Sequence, residues 1–145
     1  MKKLCCLLFI SFMMMNCKKE VKELLVNTWR YDTDRMYKVT AVNLKDHPIR
    51  DTILKAYKDK FLTRYNNSSF KFEKSGAFTW DEQGRKHIGS WALADHDSTI
   101  VTKTDTVSIE YNIVELKEDK MIWDDHARNT DPKFKLSRPI LKPVK

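Results

Sequence analysis

FKFEKSGAFTWDEQG, residues 70–84, alternates, turns, alternates again and turns again. Phe70 and Phe72 are separated by Lys71, and Phe78 and Trp80 by Thr79, a period of two that puts the aromatic side chains on one face of each strand. Lys74-Ser75-Gly76 supplies the turn between them, where a glycine accepts positive φ without steric cost. Asp81-Glu82-Gln83-Gly84 supplies the next. Two short half-apolar strands joined by a tight turn form an antiparallel hairpin.

The same rhythm extends in both directions. His87 to Ala94 places Trp91 and Leu93 on one face and Ser90 on the other, and Gly89 inside it predicts a bend or bulge. Asp95-His96-Asp97 turns the chain into Ser98–Lys103. Val107, Ile109, Tyr111 and Ile113 alternate with Ser108, Glu110 and Asn112. Glu118-Asp119 turns into Met121–Trp123, followed by a polar loop, Asp124 to Asp131, closed by Pro132. Phe134 and Leu136 predict a last short strand, and the two prolines after Arg138 predict a tail. Upstream, Leu24-Leu25 predicts a helical turn leading to a strand at Trp29. After a turn at Asp32-Thr33-Asp34, Arg35 to Val42 alternates, with Tyr37, Val39 and Ala41 on one face.

One segment breaks the pattern. Ile49, Ile53, Leu54, Tyr57, Phe61, Leu62 and Tyr65 fall on a single helical stripe. Asp46 or His47 can cap it, and Pro48 suits its first turn. The expected architecture is therefore mainly β: an antiparallel up-and-down barrel of about eight strands, with one amphipathic helix, about 49–65, capping an end.

The first residues carry a different message. Lys2 and Lys3 precede an apolar run, Leu4 to Met15, too short to span a bilayer. A basic start and a short apolar run mark a secretory signal. The run ends in Met14-Met15-Asn16-Cys17, which resembles a lipobox, with Asn16 where a small residue usually stands. That resemblance implies cleavage after residue 16, lipidation of Cys17, and a charged tether over 17–23 (Lys18, Lys19, Glu20, Lys22, Glu23). Several acyl chains on one cysteine make a stable anchor. Loss of Lys2 and Lys3 lowers the net charge from +7 to +5. Loss of Cys5 and Cys6 leaves only Cys17, so neither a disulfide nor a thiolate metal site is available. The remaining chain of about 125 residues suits one domain. Its cations are scattered along strands, and in the bacterial envelope nucleic acid is not an expected partner.

From Leu24 to Leu136 the chain resembles the small lipocalin-like (calycin-type) lipoproteins of bacterial envelopes. NTWRYD stands where lipocalins have an opening Gly-x-Trp strand, with Asn27 in place of the glycine. FKFEKSGAFTWDEQG is similar to the family's aromatic hairpin, IGSWALADHDSTIVT to its Gly-x-aromatic strand and the strand after it, and YNIVELKEDKMIW to its closing hairpin. The resemblance implies a barrel domain over 24–138, with 139–145 as its tail. It also implies a membrane-anchored envelope lipoprotein holding a small lipophilic molecule in the barrel; Lys18 after Cys17, in place of the aspartate that holds some bacterial lipoproteins at the inner membrane, favours the outer membrane. Tyr37, Phe70, Phe72, Phe78, Trp80, Trp91 and Tyr111 are the candidate interior residues. An eight-stranded barrel is either just filled by its side chains or holds one small ligand. The alternative is therefore a non-enzymatic interaction, structural or inhibitor-type lipoprotein, whose filled barrel docks an envelope protein.

Chemistry-bearing motifs are sparse. No Gly-x-Ser-x-Gly elbow occurs, and the three glycines are too scattered to cradle a phosphate. His47, His87, His96 and His126 form no His-x-x-x-His pair. Asp95-His96-Asp97 and Asp124-Asp125-His126 read as turns, where Asp bonds the local backbone. No catalysis, metal or cofactor is expected.

Overall fold

The structure is a computed structural model that describes residues 19–125 and 136–145. Eight strands close a barrel in chain order, every neighbouring pair antiparallel. They are β1 (Thr28–Tyr31), β2 (Ser68–Phe72), β3 (Ala77–Glu82), β4 (Arg85–Ala94), β5 (Thr99–Thr104), β6 (Ser108–Lys117), β7 (Lys120–Asp125) and β8 (Ile140–Pro143). Turn chemistry sets the meander. Gln83 and Gly84 both have positive φ (56° and 90°), as a two-residue hairpin twisting with its strands requires. Gly76 follows suit at φ 88°. The β4–β5 turn puts Asp95, His96 and Asp97 all at positive φ, where Asp and Asn are better tolerated than branched residues. Asp95 helps hold it: its carbonyl accepts from Ser98 Oγ at 2.6 Å and its carboxylate from Thr99 Oγ1 at 3.1 Å.

Four expectations are corrected. Arg35–Val42 is no strand but part of helix α2, Thr33–Asn43. Asp32 caps it, its carboxylate accepting from Arg35 N–H at 3.2 Å, so Asp32 starts a helix instead of a turn. The buried residues are Met36, Thr40 and Leu44, four apart. Thr40 hides this stripe in the sequence because it is polar. Its hydroxyl is buried and accepts from Ser137 N–H at 3.0 Å.

Secondly, a strand, β8, lies inside the expected tail 139–145, and Leu136 belongs to no strand; Phe134 lies outside the described residues. Pro139 and Pro143 sit before and at the end of β8, places where a missing N–H is tolerated. Ile140 and Leu141 between them are buried. Thirdly, Gly89 marks no bulge. Register runs unbroken through Phe78, Gly89 and Thr104. A Cβ there would lie 1.9 Å from Lys103 O, so the glycine permits close approach of two backbones. The register shift falls instead in β6, between Ile113 and Glu115.

Fourthly, the end of the expected tether, 21–23, belongs to a helix. Val21–Leu25 is helix α1, Leu25 is fully buried, and Trp29 Nε1–H donates to Leu25 O at 3.0 Å. Lys19 reaches Glu118 in the β6–β7 turn at 2.6 Å. The expected loop at Asp124 likewise begins later, because β7 runs through Asp125; residues 126–135 lie outside the description.

The helix expected over 49–65 is present as α3. It runs through Arg50–Ala56, a π-helical segment Tyr57–Leu62, and Thr63–Tyr65. Neither Asp46 nor His47 caps it; Ile49 occupies the N-cap without a side-chain bond. The π segment rotates the stripe. Tyr57 and Leu62, five apart, are both buried, while Phe61 between them is 45% exposed.

Candidate functional site

Phe70, Phe72, Phe78, Trp91 and Tyr111 are buried on the inner wall, as alternation predicts. Trp80 shares that wall but is half-buried, stacked on Phe70 at 6.2 Å and on His87 at 4.8 Å. Among the described residues, His87 Nε2 is buried without a hydrogen-bond partner. Tyr37 is not in the barrel wall; it projects from α2. Cys17 lies outside the described residues.

What fills the interior comes partly from strand residues that alternation does not assign inward and, in Leu141, from the expected tail. Trp29, Ile100, Met121, Trp123 and Leu141 are all below 2% exposed. The available signal was the two-residue spacing of Met121 and Trp123. Rings from non-neighbouring strands meet in the middle. Phe70 of β2 contacts Trp123 of β7 edge-on at 4.9 Å and 83°, and Tyr111 of β6 at 6.4 Å. Tyr111 and Trp123 stack at 4.3 Å. Lower in the barrel Phe72 meets Trp91 edge-on at 5.6 Å, and Trp91 Nε1–H is satisfied by Glu73 O at 3.0 Å. These geometries are the favoured edge-on and offset arrangements of aromatic pairs.

Both barrel ends carry helix. α1 lies at the end where β1 begins. At the other end α2 and α3 bridge β1 to β2, with Tyr65 against Tyr31 at 4.4 Å. Tyr57 Oη and Ser137 Oγ are 3.1 Å apart, which ties α3 to the segment before β8. Burial raises the Tyr57 phenol above its ordinary value; hydrogen bonds with Ser137 and Thr40 oppose the rise.

Two surface clefts stand out, and neither is the barrel lumen. One, about 380 Å³, lies between α2 and α3 and includes Tyr37, Lys38, Lys58, Leu62 and Thr63. The π segment shapes it: Thr63 N–H and Oγ1 both donate to Lys58 O, and Thr33 Oγ1 donates to Asn66 Oδ1 across its edge at 2.8 Å. Among the described residues no carboxylate lies within ion-pair distance of Lys38 or Lys58. The second cleft, about 350 Å³, runs along β1 and β8 past Arg30, Arg35, Lys142 and Lys145. Its Asp32 is already engaged by Lys142 at 3.4 Å and Arg35 at 3.8 Å. Among the described residues no three His, Cys, Asp or Glu side chains are assembled for a metal ion.

No family model matches the chain, and no curated protein does. One solved structure is similar: a DUF4847 family protein from Bacteroides vulgatus, at 15% identity and a TM-score of 0.51, covering 87% of this chain and 99% of that one. The likeness is one of fold. Together with the closed eight-stranded meander it fits a calycin-like barrel.

Proposed function

We propose that the chain is a lipid-anchored bacterial envelope protein, non-enzymatic, whose solid barrel holds a docking surface for another envelope protein. The observation that carries this reading is the contact of Phe70 with Trp123 across the lumen. A barrel whose opposite walls touch through aromatic rings is the filled kind, not the ligand-holding kind. Anchoring at Cys17 rests on the lipobox resemblance and places the protein at the outer membrane. The short distance from Cys17 to Lys19, which is bound to Glu118, then keeps the α1 end close to the bilayer. The α2–α3 end faces away, available to a partner.

Two measurements test this. Tryptophan fluorescence titrated with fatty acids should show no saturable change, because Trp29 and Trp123 are fully buried and Trp123 is already in ring contact with Phe70 and Tyr111. A saturable response would return the lipophilic-carrier reading. Palmitate labelling should disappear in Cys17→Ser together with membrane retention; labelling that persists in the variant would remove the anchor.

A further inference from the structure

Charge and apolar exposure are distributed unequally between the two ends. At the α1 end the β2–β3, β4–β5 and β6–β7 turns carry Glu73, Asp95, Asp97, Glu118 and Asp119 against Lys74 alone. At the other end the cations of α2 and α3 outnumber their acids. Lys38 and Lys58 line the cleft between these helices together with Asp34, and among the described residues no carboxylate, Asp34 included, lies at ion-pair distance from either lysine. Tyr37 adds a phenolic hydroxyl there, and Leu62 an apolar floor. The same two helices and their connection leave Val42 67%, Ile49 54% and Phe61 45% exposed. Two cations over an apolar floor in one cleft, with further apolar side chains exposed elsewhere on the same helical end, suit a protein contact.

We infer that the α2–α3 cleft receives a carboxylate side chain from an acidic, partly apolar segment of a partner protein, seated between Lys38 and Lys58. Charge complementarity selects this occupant. A free inorganic anion would make no use of the Tyr37 ring and Leu62 beside the two lysines. A second copy related by a two-fold axis would bring the same positive face against this one, and a head-to-tail copy would need the acidic turns of the α1 end, which the anchor holds at the bilayer. This inference deepens the proposed docking role and rests on it.

The test uses the full-length chain in nanodiscs and a fluorescein-labelled dodecapeptide repeating Glu-Glu-Leu, followed by anisotropy. The expected result is saturable binding that weakens about tenfold or more in the double variant Lys38→Glu, Lys58→Glu, and less than about twofold in Lys22→Glu, Lys74→Glu, which changes net charge equally at the α1 end. Unchanged near-ultraviolet circular dichroism establishes that both variants fold. No saturable binding, or equal weakening in both double variants, overturns the inference. So does binding of the Lys-Lys-Leu peptide as tightly as the acidic one. The filled lumen and the anchor are read separately, by the fatty-acid titration and Cys17→Ser. Failure of the peptide in a protein that passes both overturns the acidic partner alone.

Discussion

Phe70 and Phe61 are the same residue type put to opposite uses. Phe70 sits at the hub of the barrel, touching Tyr31, Phe78, Trp80, Tyr111 and Trp123. Phe61 stands on α3 nearly half exposed, flanked by Tyr57 at 5.9 Å and Tyr65 at 6.2 Å. The lumen spends its aromatic surface on stability; the helical end leaves some of its own uncommitted. The π segment makes the difference on α3, because an α-helical turn would bring Phe61 inward with Tyr57 and Tyr65. Under the proposed docking role, a packed interior beside an uncommitted helical face puts the working surface outside the barrel.

Substitutions can break this contrast. Trp123→Ala removes a fully buried indole from the ring cluster and should cost about 3–5 kcal/mol, read as a lower urea midpoint at unchanged slope. A loss below about 1 kcal/mol would mean that the lumen is loosely filled. Gly89→Ala should cost about 1–3 kcal/mol, because its Cβ must push β4 from Lys103 O. Asp32→Ala removes the α2 cap and should cost about 1 kcal/mol, weakening the helical end while leaving the tryptophan environment intact. Val42→Ala, on the exposed side of α2, should stay within about 0.5 kcal/mol.

The hinge between the two regions is Tyr57, and pH sharpens it. Its phenol has a folded pKa above the unfolded value of about 10. The contribution is therefore fully present below pH about 10 and is lost as pH rises, since the unfolded chain sheds the proton first. Tyr57→Phe should cost about 1 kcal/mol at neutral pH by leaving Ser137 Oγ without its partner. Its stability should also fall less steeply than the wild type above pH 10; parallel alkaline profiles would show that Tyr57 ionises alike in both states.

Much of this architecture is legible in the sequence. The hairpins declare themselves because period-two apolar residues and turn residues coincide, as in Phe70 to Gly84. Helix α3 declares itself by its stripe. Helix α2 does not, because Thr40 occupies an inward position that only Ser137, far along the chain, makes acceptable. β8 is disguised by its prolines, which read as breakers when their pairing with β1 is unseen. Alternation tells which way Phe70 and Trp123 point but not the barrel diameter, so their contact is visible only in three dimensions. The α2–α3 cleft is less legible still: it depends on one extra residue in a helical turn and on two helices from different stretches meeting.

The seam between β1 and β8 pairs Trp29 with Pro143 and Tyr31 with Leu141, residues from opposite ends of the domain. Loop-closure entropy must be met before such a pairing contributes. A ribosome or a secretion channel delivers the chain from its amino end, so β1 emerges first and then waits, one edge open, for β8. Closure is the last act of biogenesis. Until then Trp29 and Phe70 belong to an open sheet, and the unfinished edge is a surface open to pairing with another chain.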